Sequence, residues 1–278
     1  MATLTSRETV EKLRPIDDIL FNLMYEDKAA CQELIRTVLD DDNIIVDDVV
    51  AQKTEANLVG RGVRLDVLCT TRYDTKINVE VQRSDNDDHF KRIRYNASVV
   101  TAKNTPKGTT FEDVVEMYVI YISEFDLTKV ESSLVHIDSV IRESGEVIDD
   151  GLHRIIVNAT INDGTKISRL MAHFREEDFN DEEFPESSKM IYRLKNTEEG
   201  VNTMCAIVED YAINYAKEYA EEYANIKKKE IIVETIEKLC IGRTLEEACQ
   251  MLGYTVDEYN EAKQAIQNND SDSGTKEA

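Results

Sequence analysis

The amino-acid sequence predicts an α/β fold, in which a mixed sheet flanked by helices precedes a mainly helical C-terminal region. Residues 113–125 (DVVEMYVIYISEF) are rich in β-branched and aromatic side chains, which is typical of a central strand. Residues 198–239 are nearly free of Gly and Pro and rich in Ala, Glu and Lys, which predicts one long helix. Strand patterns in the first half and helical patterns in the second therefore indicate a sheet core followed by helices.

The first elements follow from the spacing of apolar residues. From Ile16 to Leu39 apolar residues recur at helical intervals, with a break near residues 26–27 that predicts two helices. Residues 43–58 are predicted to form an extended or edge strand, residues 64–82 a β-hairpin, and residues 85–103 a helix. The predicted core stripe of that helix comprises Phe90, Ile93, Ala97 and Val100. The remaining predicted elements are strands within 113–125, 133–142 and 152–161, helices within 167–181, 187–195 and 198–239, and two short helices around Gly253.

The change of pattern near residue 165 sets the predicted domain organisation. Residues 1–165 form the sheet core, residues 166–267 a helical C-terminal region with the long helix and the short helix pair, and residues 268–278 a disordered tail. The long helix suits either a homodimer contact or packing on its own core. The helix pair has the spacing of a helix-turn-helix, but its second helix lacks the basic residues that DNA reading needs.

Composition excludes several classes of protein. The 278 residues contain 41% hydrophobic side chains, no apolar run near the roughly 18 residues of a membrane span, and no signal-peptide pattern. Five scattered cysteines without a C-x-x-C spacing predict reduced thiols and a cytoplasmic location, and four scattered histidines argue against structural zinc. The net charge is −23, yet residues 51–110 carry eleven Lys and Arg against seven Asp and Glu. This basic segment surrounds the hairpin, whereas a uniformly acidic surface would repel nucleic acid.

Three polar side chains interrupt the apolar strands of the hairpin, namely Asp66, Glu80 and Gln82. Because side chains alternate along strands, matching the apolar faces leaves two registers, one with Asp66 opposite Glu80 and one with Asp66 opposite Gln82. Opposed β-carbons lie roughly 4.5–5.5 Å apart, so two buried carboxylates would repel each other. A divalent cation offsets that repulsion, and oxygen ligands suit Mg²⁺ or Mn²⁺. The alternative is a solvated sheet face on which both carboxylates point at water.

Several motifs in the same order resemble the PD-(D/E)XK nuclease family transposases, the Rpn-like recombination-promoting nuclease group. Asp66 followed by Glu80-Val81-Gln82 resembles the acidic core of these nucleases, in the variant that has Gln in place of Lys. The similarity covers roughly residues 14–125. Its outer motifs match at Asp18, Phe21, Arg92 and Tyr95, with Asn22 where Lys is usual and Asn96 where a second Tyr is usual.

The resemblance implies a restriction-endonuclease-like fold and an Mg²⁺- or Mn²⁺-dependent DNA endonuclease that acts in recombination or transposition. Asp66, Glu80 and the Val81 carbonyl would hold the ion, and Gln82 would orient the attacking water, although it cannot act as a cation or as a general acid–base. Asp18 is a candidate accessory acid, or else a helix cap or surface acid. The implied DNA-binding residues are Arg64, Lys91, Arg92, Arg94 and Tyr95.

Other readings of the same residues stay open. Arg64 shares a strand face with Asp66 and suits either the scissile phosphate or a structural salt bridge to Asp66. The departures at Asn22 and Asn96 favour a catalytically inactive nuclease-fold protein that acts as a protein-interaction module. A transcriptional regulator that uses the C-terminal helix pair is a third candidate, which the acidity of that region opposes. We expect His89 to be an exposed residue of its helix.

Overall fold

A computed structural model describes residues 5–55, 63–86 and 88–273 of the chain. The chain divides into two compact units, Met1–Val208 and Glu209–Ala278. No helix in the described ranges is both long and apolar enough to cross a membrane. The predicted first strand runs to residue 58, and its residues 56–58 lie outside the described residues.

The first unit is built around a six-stranded mixed sheet with the order β1-β2-β3-β4-β8-β5. Strands β3, β4 and β8 are parallel, and the pairs β1–β2, β2–β3 and β5–β8 are antiparallel. The predicted edge strand and central strand take those positions as β1 and β4. The strands span β1 (Val46–Glu55), β2 (Val63–Thr71), β3 (Lys76–Gln82), β4 (Met117–Ser123), β5 (Leu134–Ile137), β6 (Ser139–Val140), β7 (Val147–Ile148) and β8 (Leu152–Asn158).

The predicted strand at 133–142 is divided in the structure. Its first half joins the large sheet as β5, and its second half forms a separate two-stranded ribbon, β6 with β7. Valine and isoleucine side chains of this ribbon are exposed, so the apolar pattern that predicted one strand here does not report burial. Strand patterns alone cannot separate a sheet strand from a ribbon.

Helices cover both faces of the sheet and make up the rest of the chain. The break between the first two long helices falls at Glu26-Asp27 as predicted, because the Asp27 carboxylate accepts the N–H groups of Ala29 and Ala30 and starts a new helix. The helices span α1 (Ser6–Lys12), α2 (Asp18–Tyr25), α3 (Lys28–Leu39), α4 (His89–Asn104), α5 (Lys166–Phe174), α6 (Pro185–Asn196), α7 (Glu198–Leu239), α8 (Leu245–Met251) and α9 (Val256–Ser273).

Two apolar clusters fill the first unit, one on each side of the sheet. The first cluster contains buried side chains of α2, α3, α5 and α6, packed against β3, β4 and β8. The second cluster lies beneath α4, with Ile93, Ala97 and Val100 packed on Val119 and Tyr121. The prediction that Phe90 belongs to this buried stripe is wrong, because the residue is 47% exposed. The mixed sheet with packed helices confirms the predicted restriction-endonuclease-like α/β class.

Helices α5 and α6 belong to the first unit, although they follow the boundary predicted at residue 165. Ile167, Leu170 and Phe174 of α5 and Ile191 of α6 are buried in the first cluster. The contact boundary accordingly falls at Val208, within helix α7. The amphipathic pattern that predicted these helices gives their buried face but does not name the element on which that face packs.

The second unit has a small core of its own, formed by the end of α7 with α8 and α9. Ile236, Ala248 and Tyr259 are buried there, and the Tyr259 hydroxyl and Lys263 ammonium both donate to Glu237. Helix α9 continues to Ser273, whereas the sequence predicted disorder from residue 268. Residues 274–278 of the predicted tail lie outside the described residues.

Candidate active site

The hairpin register brings Asp66 and Glu80 together. Strands β2 and β3 pair Val67 with Val79 and Leu68 with Asn78, which is the first of the two registers that the sequence allows. The turn closes through Asp74, whose backbone is left-handed with φ 63°, a conformation that Asp and Asn tolerate. Continuing this register past the last pair sets Asp66 beside Glu80.

Strict alternation of side chains fails at Asp66. Leu65 and Leu68, of opposite parity, both pack in the second cluster, while Val67 packs in the first. The β1 residue between the pairs that flank Asp66 is Gln52, and its backbone has φ 51° inside a strand. Such a local irregularity re-aims side chains near a functional site. Parity alone therefore could not give the direction of Asp66.

Asp66 is partly buried and poorly compensated. Its Oδ2 atom accepts the backbone N–H of Val81 at 3.0 Å, which is the one hydrogen bond it makes within the described residues. Burial, then the negative charge of Glu80, raises the pKa of Asp66 to about 8, with a further rise from Asp18. The Val81 N–H and the Arg92 guanidinium oppose that rise. Such a strong perturbation marks a candidate functional carboxyl.

Glu80 is buried, with 1% of its side chain exposed, and all its partners lie on the same sheet face. Its Oε1 atom accepts hydrogen bonds from Asn78 at 2.9 Å and Asn96 at 3.2 Å, and its Oε2 atom forms a 3.0 Å ion pair with Arg92. Burial raises the pKa of Glu80, and these three partners moderate the rise. Asn96, which stands where the family motif has a second tyrosine, thus donates a hydrogen bond to Glu80.

Gln82 and Arg92 form the outer part of the same cluster. The Arg92 guanidinium donates to Gln82 Oε1 at 3.2 Å, and Gln82 Nε2 donates to the Ser84 carbonyl at 3.0 Å. Burial lowers the pKa of Arg92, and the negative charges of Glu80 and Asp66 outweigh that effect and raise it. Arg92, expected to contact phosphate, therefore lies on the carboxylate side of the site.

Asp18 lies at the first turn of α2, near the carboxylate pair. Partial desolvation raises the pKa of Asp18, and Arg92, Arg83 and Arg64 lower it. The N-cap of α2 is the preceding residue, Asp17, so Asp18 does not take the capping role that was one of its expected alternatives. Asn22, where the family has Lys, is buried and donates to the Asp18 carbonyl at 2.7 Å, and its Oδ1 atom has no hydrogen-bond partner among the described residues.

The other predicted DNA-binding residues are placed differently from one another. Lys91 and Arg94 are exposed on α4, and Lys91 pairs with Asp88 at 2.6 Å. Arg64 is exposed and donates to Gln52 Oε1 at 2.6 Å, so within the described residues its partner is not Asp66. Tyr95 is half-buried and packs against the second cluster. The exposed cations of this set are thus Arg64, Lys91 and Arg94.

His89 contradicts the expectation of an exposed helix residue. Its side chain is buried, with 3% of the residue exposed, its Nδ1 atom is hydrogen-bonded to the Tyr121 hydroxyl at 2.8 Å, and its Nε2 atom is 3.1 Å from Asp85 Oδ1. His89 lies three residues before Arg92, so the two residues share a helix face, but this spacing does not tell whether that face is buried.

The donor set around Asp66 fits a hard divalent cation. Two carboxylates and a backbone carbonyl supply only oxygen, the ligand type of Mg²⁺ and Mn²⁺. The Val81 N–H points at Asp66, and the N–H and C=O of one strand residue share a side, so its carbonyl faces the same side. Among the described residues Asp66 forms no ion pair. Glu80 already forms one with Arg92, with which an ion would have to share the carboxylate.

A second group with metal-ligand chemistry lies away from the carboxylate pair, near the turn of the hairpin. Ligand atoms of Glu116, Asp149 and His153 lie within 4.8 Å of one another, at the start of β4 and β8. His153 is hydrogen-bonded to Glu116 at 2.9 Å and stacks on Tyr118. A cavity of about 490 Å³ adjoins it, and its lining includes Tyr118 and His153 together with both apolar and polar side chains. These groups lie at the opposite ends of the parallel strands from Glu80 and Gln82.

Fold and hairpin together define a nuclease-like α/β protein, in which the ends of β2 and β3 present a paired-carboxylate site. The chain belongs to the PD-(D/E)XK nuclease family transposases, because the model of that family matches residues 15–241. This confirms the resemblance inferred from the motifs and extends it through α6 and α7. Neither the curated proteins nor the solved structures give a match to the chain.

Proposed function

We propose that this protein is an Mg²⁺- or Mn²⁺-dependent DNA endonuclease that hydrolyses phosphodiester bonds during recombination or transposition. The observation that supports this most is the juxtaposition of Asp66 and Glu80, which raises the pKa of Asp66 because both carboxyls are buried side by side. A solvated sheet face would not create that perturbation. Buried like charges are retained where a cation or a reaction requires them.

The proposed roles follow from the contacts. Asp66, Glu80 and the Val81 carbonyl would hold the ion, which supplies Lewis-acid activation of the phosphate and of water. Gln82 would orient the nucleophilic water through its amide, while Arg92 fixes both Gln82 and Glu80. Asp18 would contribute negative charge at the edge of the site. The exposed Arg64, Lys91 and Arg94 would contact DNA phosphates, with Tyr95 packed behind them.

A second candidate is a catalytically inactive nuclease-fold protein that binds other proteins. One observation favours it, namely that Glu80 is fully satisfied without an ion, by Arg92, Asn78 and Asn96. A site in which Arg92 permanently replaces the cation would keep the fold and lose the chemistry. Asp66 opposes this reading, because within the described residues it has no cationic partner of its own.

Plasmid nicking separates the two candidates. We expect the protein to nick supercoiled plasmid with Mg²⁺ or Mn²⁺ and not with EDTA, and Asp66→Asn to abolish nicking because it removes a ligand without changing size. The matched control is Asp74→Asn, since Asp74 lies exposed in the hairpin turn with a left-handed backbone that Asn also adopts.

Two results would contradict the endonuclease. Nicking that survives Asp66→Asn would place the chemistry elsewhere or reveal a contaminant. No nicking by the parent with either ion, on supercoiled, linear or single-stranded DNA, would favour the interaction module. Retained nicking by Asp74→Asn shows that the hairpin still folds when a nearby carboxylate is replaced.

A further inference from the structure

A buried chain of hydrogen bonds lies next to the carboxylate pair and takes no part in the roles proposed above. The Tyr121 hydroxyl is 2.8 Å from His89 Nδ1, and His89 Nε2 is 3.1 Å from Asp85 Oδ1. Tyr121 and His89 are almost fully buried, whereas the Asp85 side chain is 69% exposed. The chain thus runs from the centre of the sheet to the loop that follows Gln82.

The chemistry of the three groups gives each hydrogen bond a direction. An ionised Asp85 can only accept, so His89 Nε2 carries a proton and donates to it. In the neutral imidazole Nδ1 then accepts the Tyr121 hydroxyl proton. Phe125 packs on the imidazole ring with centroids 4.9 Å apart, which fixes the plane of the ring. Few orientations of His89 satisfy all three contacts.

The hydrogen bonds from Tyr121 through His89 to Asp85 join helix α4 to strand β4 at the level of Glu80. Tyr121 is the register partner of Glu80 on the neighbouring parallel strand, so both side chains rise from the same sheet face. His89 opens α4, and Arg92 follows one turn later on the same helix face.

We propose that His89 is a positioning residue of the carboxylate site, which holds the first turn of α4 on Tyr121 so that Arg92 bridges Glu80 and Gln82. Without this anchor, the first turn of α4 is tied to the sheet by Arg92 itself, which must then both locate the helix and clamp the carboxylate. Asp85 holds the imidazole from the solvent side. For its effect on catalysis the inference rests on the proposed endonuclease, but the placement of Arg92 does not depend on it.

The test uses the full chain and observes Arg92 directly. In the protein free of metal and DNA, the guanidinium N–H signals of Arg92 are recorded by NMR and assigned by their loss in Arg92→Lys. We expect a separate, slowly exchanging signal in the parent, because Arg92 is partly buried and its guanidinium donates hydrogen bonds to both Gln82 and Glu80. His89→Phe keeps an aromatic ring on Phe125, and Tyr121→Phe removes only the hydroxyl. Both should average or broaden that signal.

The matched control and the kinetics complete the design. Phe90→Ala changes an exposed residue of the same helix turn and should leave the Arg92 signal intact. In the nicking assay His89→Phe and Tyr121→Phe should lower kcat about tenfold or more with little change in KM, because a small misplacement near reacting atoms is costly. Asp85→Asn keeps an acceptor for His89 Nε2, so it should retain most of the parent's Arg92 signal and nicking rate, whereas Asp85→Ala should lose both.

The outcomes distinguish this inference from the proposed function. If both variants melt at lower temperature but keep the parent Arg92 signal, His89 is merely structural and the inference is overturned. If His89→Phe does not fold, the Tyr121→Phe spectrum decides alone. If the parent lacks nicking altogether while the Arg92 signal still responds to both variants, the endonuclease fails and the positioning role stands.

Discussion

Two features of Asp66 disfavour its ionised form, namely the burial of its carboxyl and the like charge of Glu80 beside it. Burial and Glu80 raise its pKa, so at neutral pH the folded protein holds a proton that the unfolded chain releases. An ion bound there would displace this proton. Stability and metal affinity should therefore depend on pH in opposite directions, because protonation favours the fold and removes the ligand.

The first prediction concerns the stability of the metal-free protein. The folded-state pKa of Asp66 is raised above its unfolded value, so this carboxyl lowers the free energy of unfolding as pH rises from about 4 towards 8. The slope cannot exceed about 1.4 kcal/mol per pH unit, the value for one proton. Urea unfolding of the parent and Asp66→Asn between pH 4 and 8 measures it, and the variant should gain on the parent as pH rises.

A difference between the two proteins that stays constant across that pH range would show that Asp66 titrates normally. Metal supplies the internal check. A hundredfold excess of Mg²⁺ or Mn²⁺ over its Kd should stabilise the parent by about 2.7 kcal/mol and leave Asp66→Asn unchanged.

Sequence reasoning found the polar residues of the hairpin but not their partners. Asp66, Glu80 and Gln82 stood out because they interrupt apolar strands, and parity with register limited Asp66 to two neighbours. The ion pair of Arg92 with Glu80 and the burial of His89 could not be predicted, because they depend on how α4 is rotated over the sheet. Spacing gives the faces of a helix and not its rotation against another element.

At the scale of elements, helix α4 divides its polar residues between two environments. Arg92 and Asn96 point at Glu80, whereas Lys91 and Arg94 are exposed. The Asp88 carboxylate caps the helix through the Lys91 N–H, and Lys91 and Arg94 lower the pKa of Asp88. One helix thus supplies both the inner clamp and the outer charges.

The prediction for this element concerns the salt dependence of DNA binding. Lys91→Ala with Arg94→Ala should make the slope of log affinity against log salt shallower by about 2, since each neutralised phosphate contributes about 0.9. Affinity should fall for all sequences alike, because phosphate contacts carry no base preference. Fluorescence anisotropy in metal-free buffer, between low and moderate salt, measures the slope.

Lys103→Ala with Lys107→Ala is the matched control, because it removes the same charge near the far end of α4. If both double variants change the slope equally, the effect comes from net charge alone. An unchanged slope for Lys91→Ala with Arg94→Ala would move the DNA surface away from this helix.

Most elements were predictable because their signals are local. The break at Glu26-Asp27, the hairpin and the span of α7 follow from caps, from turn residues and from a long segment with Gly200 as its one glycine and no proline. The β6–β7 ribbon and the exposed Phe90 were not, since apolar residues also occur on surfaces. What sequence could not supply was the tertiary neighbour of each apolar face.

For the whole molecule, the junction between α6 and α7 is tightly constrained. A β-carbon on Gly200 would lie 1.9 Å from the Arg193 carbonyl oxygen and 2.9 Å from the Leu194 Cα, both backbone atoms that cannot yield. Gly200 is itself helical and buried. The glycine therefore permits the first turn of α7 to cross α6 at contact distance.

Gly200→Ala should consequently destabilise the first unit, although alanine is the better helix former by about 1 kcal/mol. Displacing two packed backbones costs about 1–3 kcal/mol, so the expected sign is reversed from that of an exposed helical glycine. Asn202→Ala, at an exposed position of the same turn, is the control and should change stability by about 0.5 kcal/mol or less. Urea unfolding followed by circular dichroism measures both, and a more stable Gly200→Ala would contradict the contact.

The crossover from β3 through α4 to β4 has a consequence for how the protein folds. Glu80, Gln82, Arg92 and Tyr121 all belong to this one segment, residues 76–123, while Asp66 comes from the preceding strand. Contacts close in sequence form faster than distant ones, because less chain entropy is lost in closing the loop. Glu80 and Arg92 are 12 residues apart, so their ion pair closes a short loop, and both residues are synthesised well before β8.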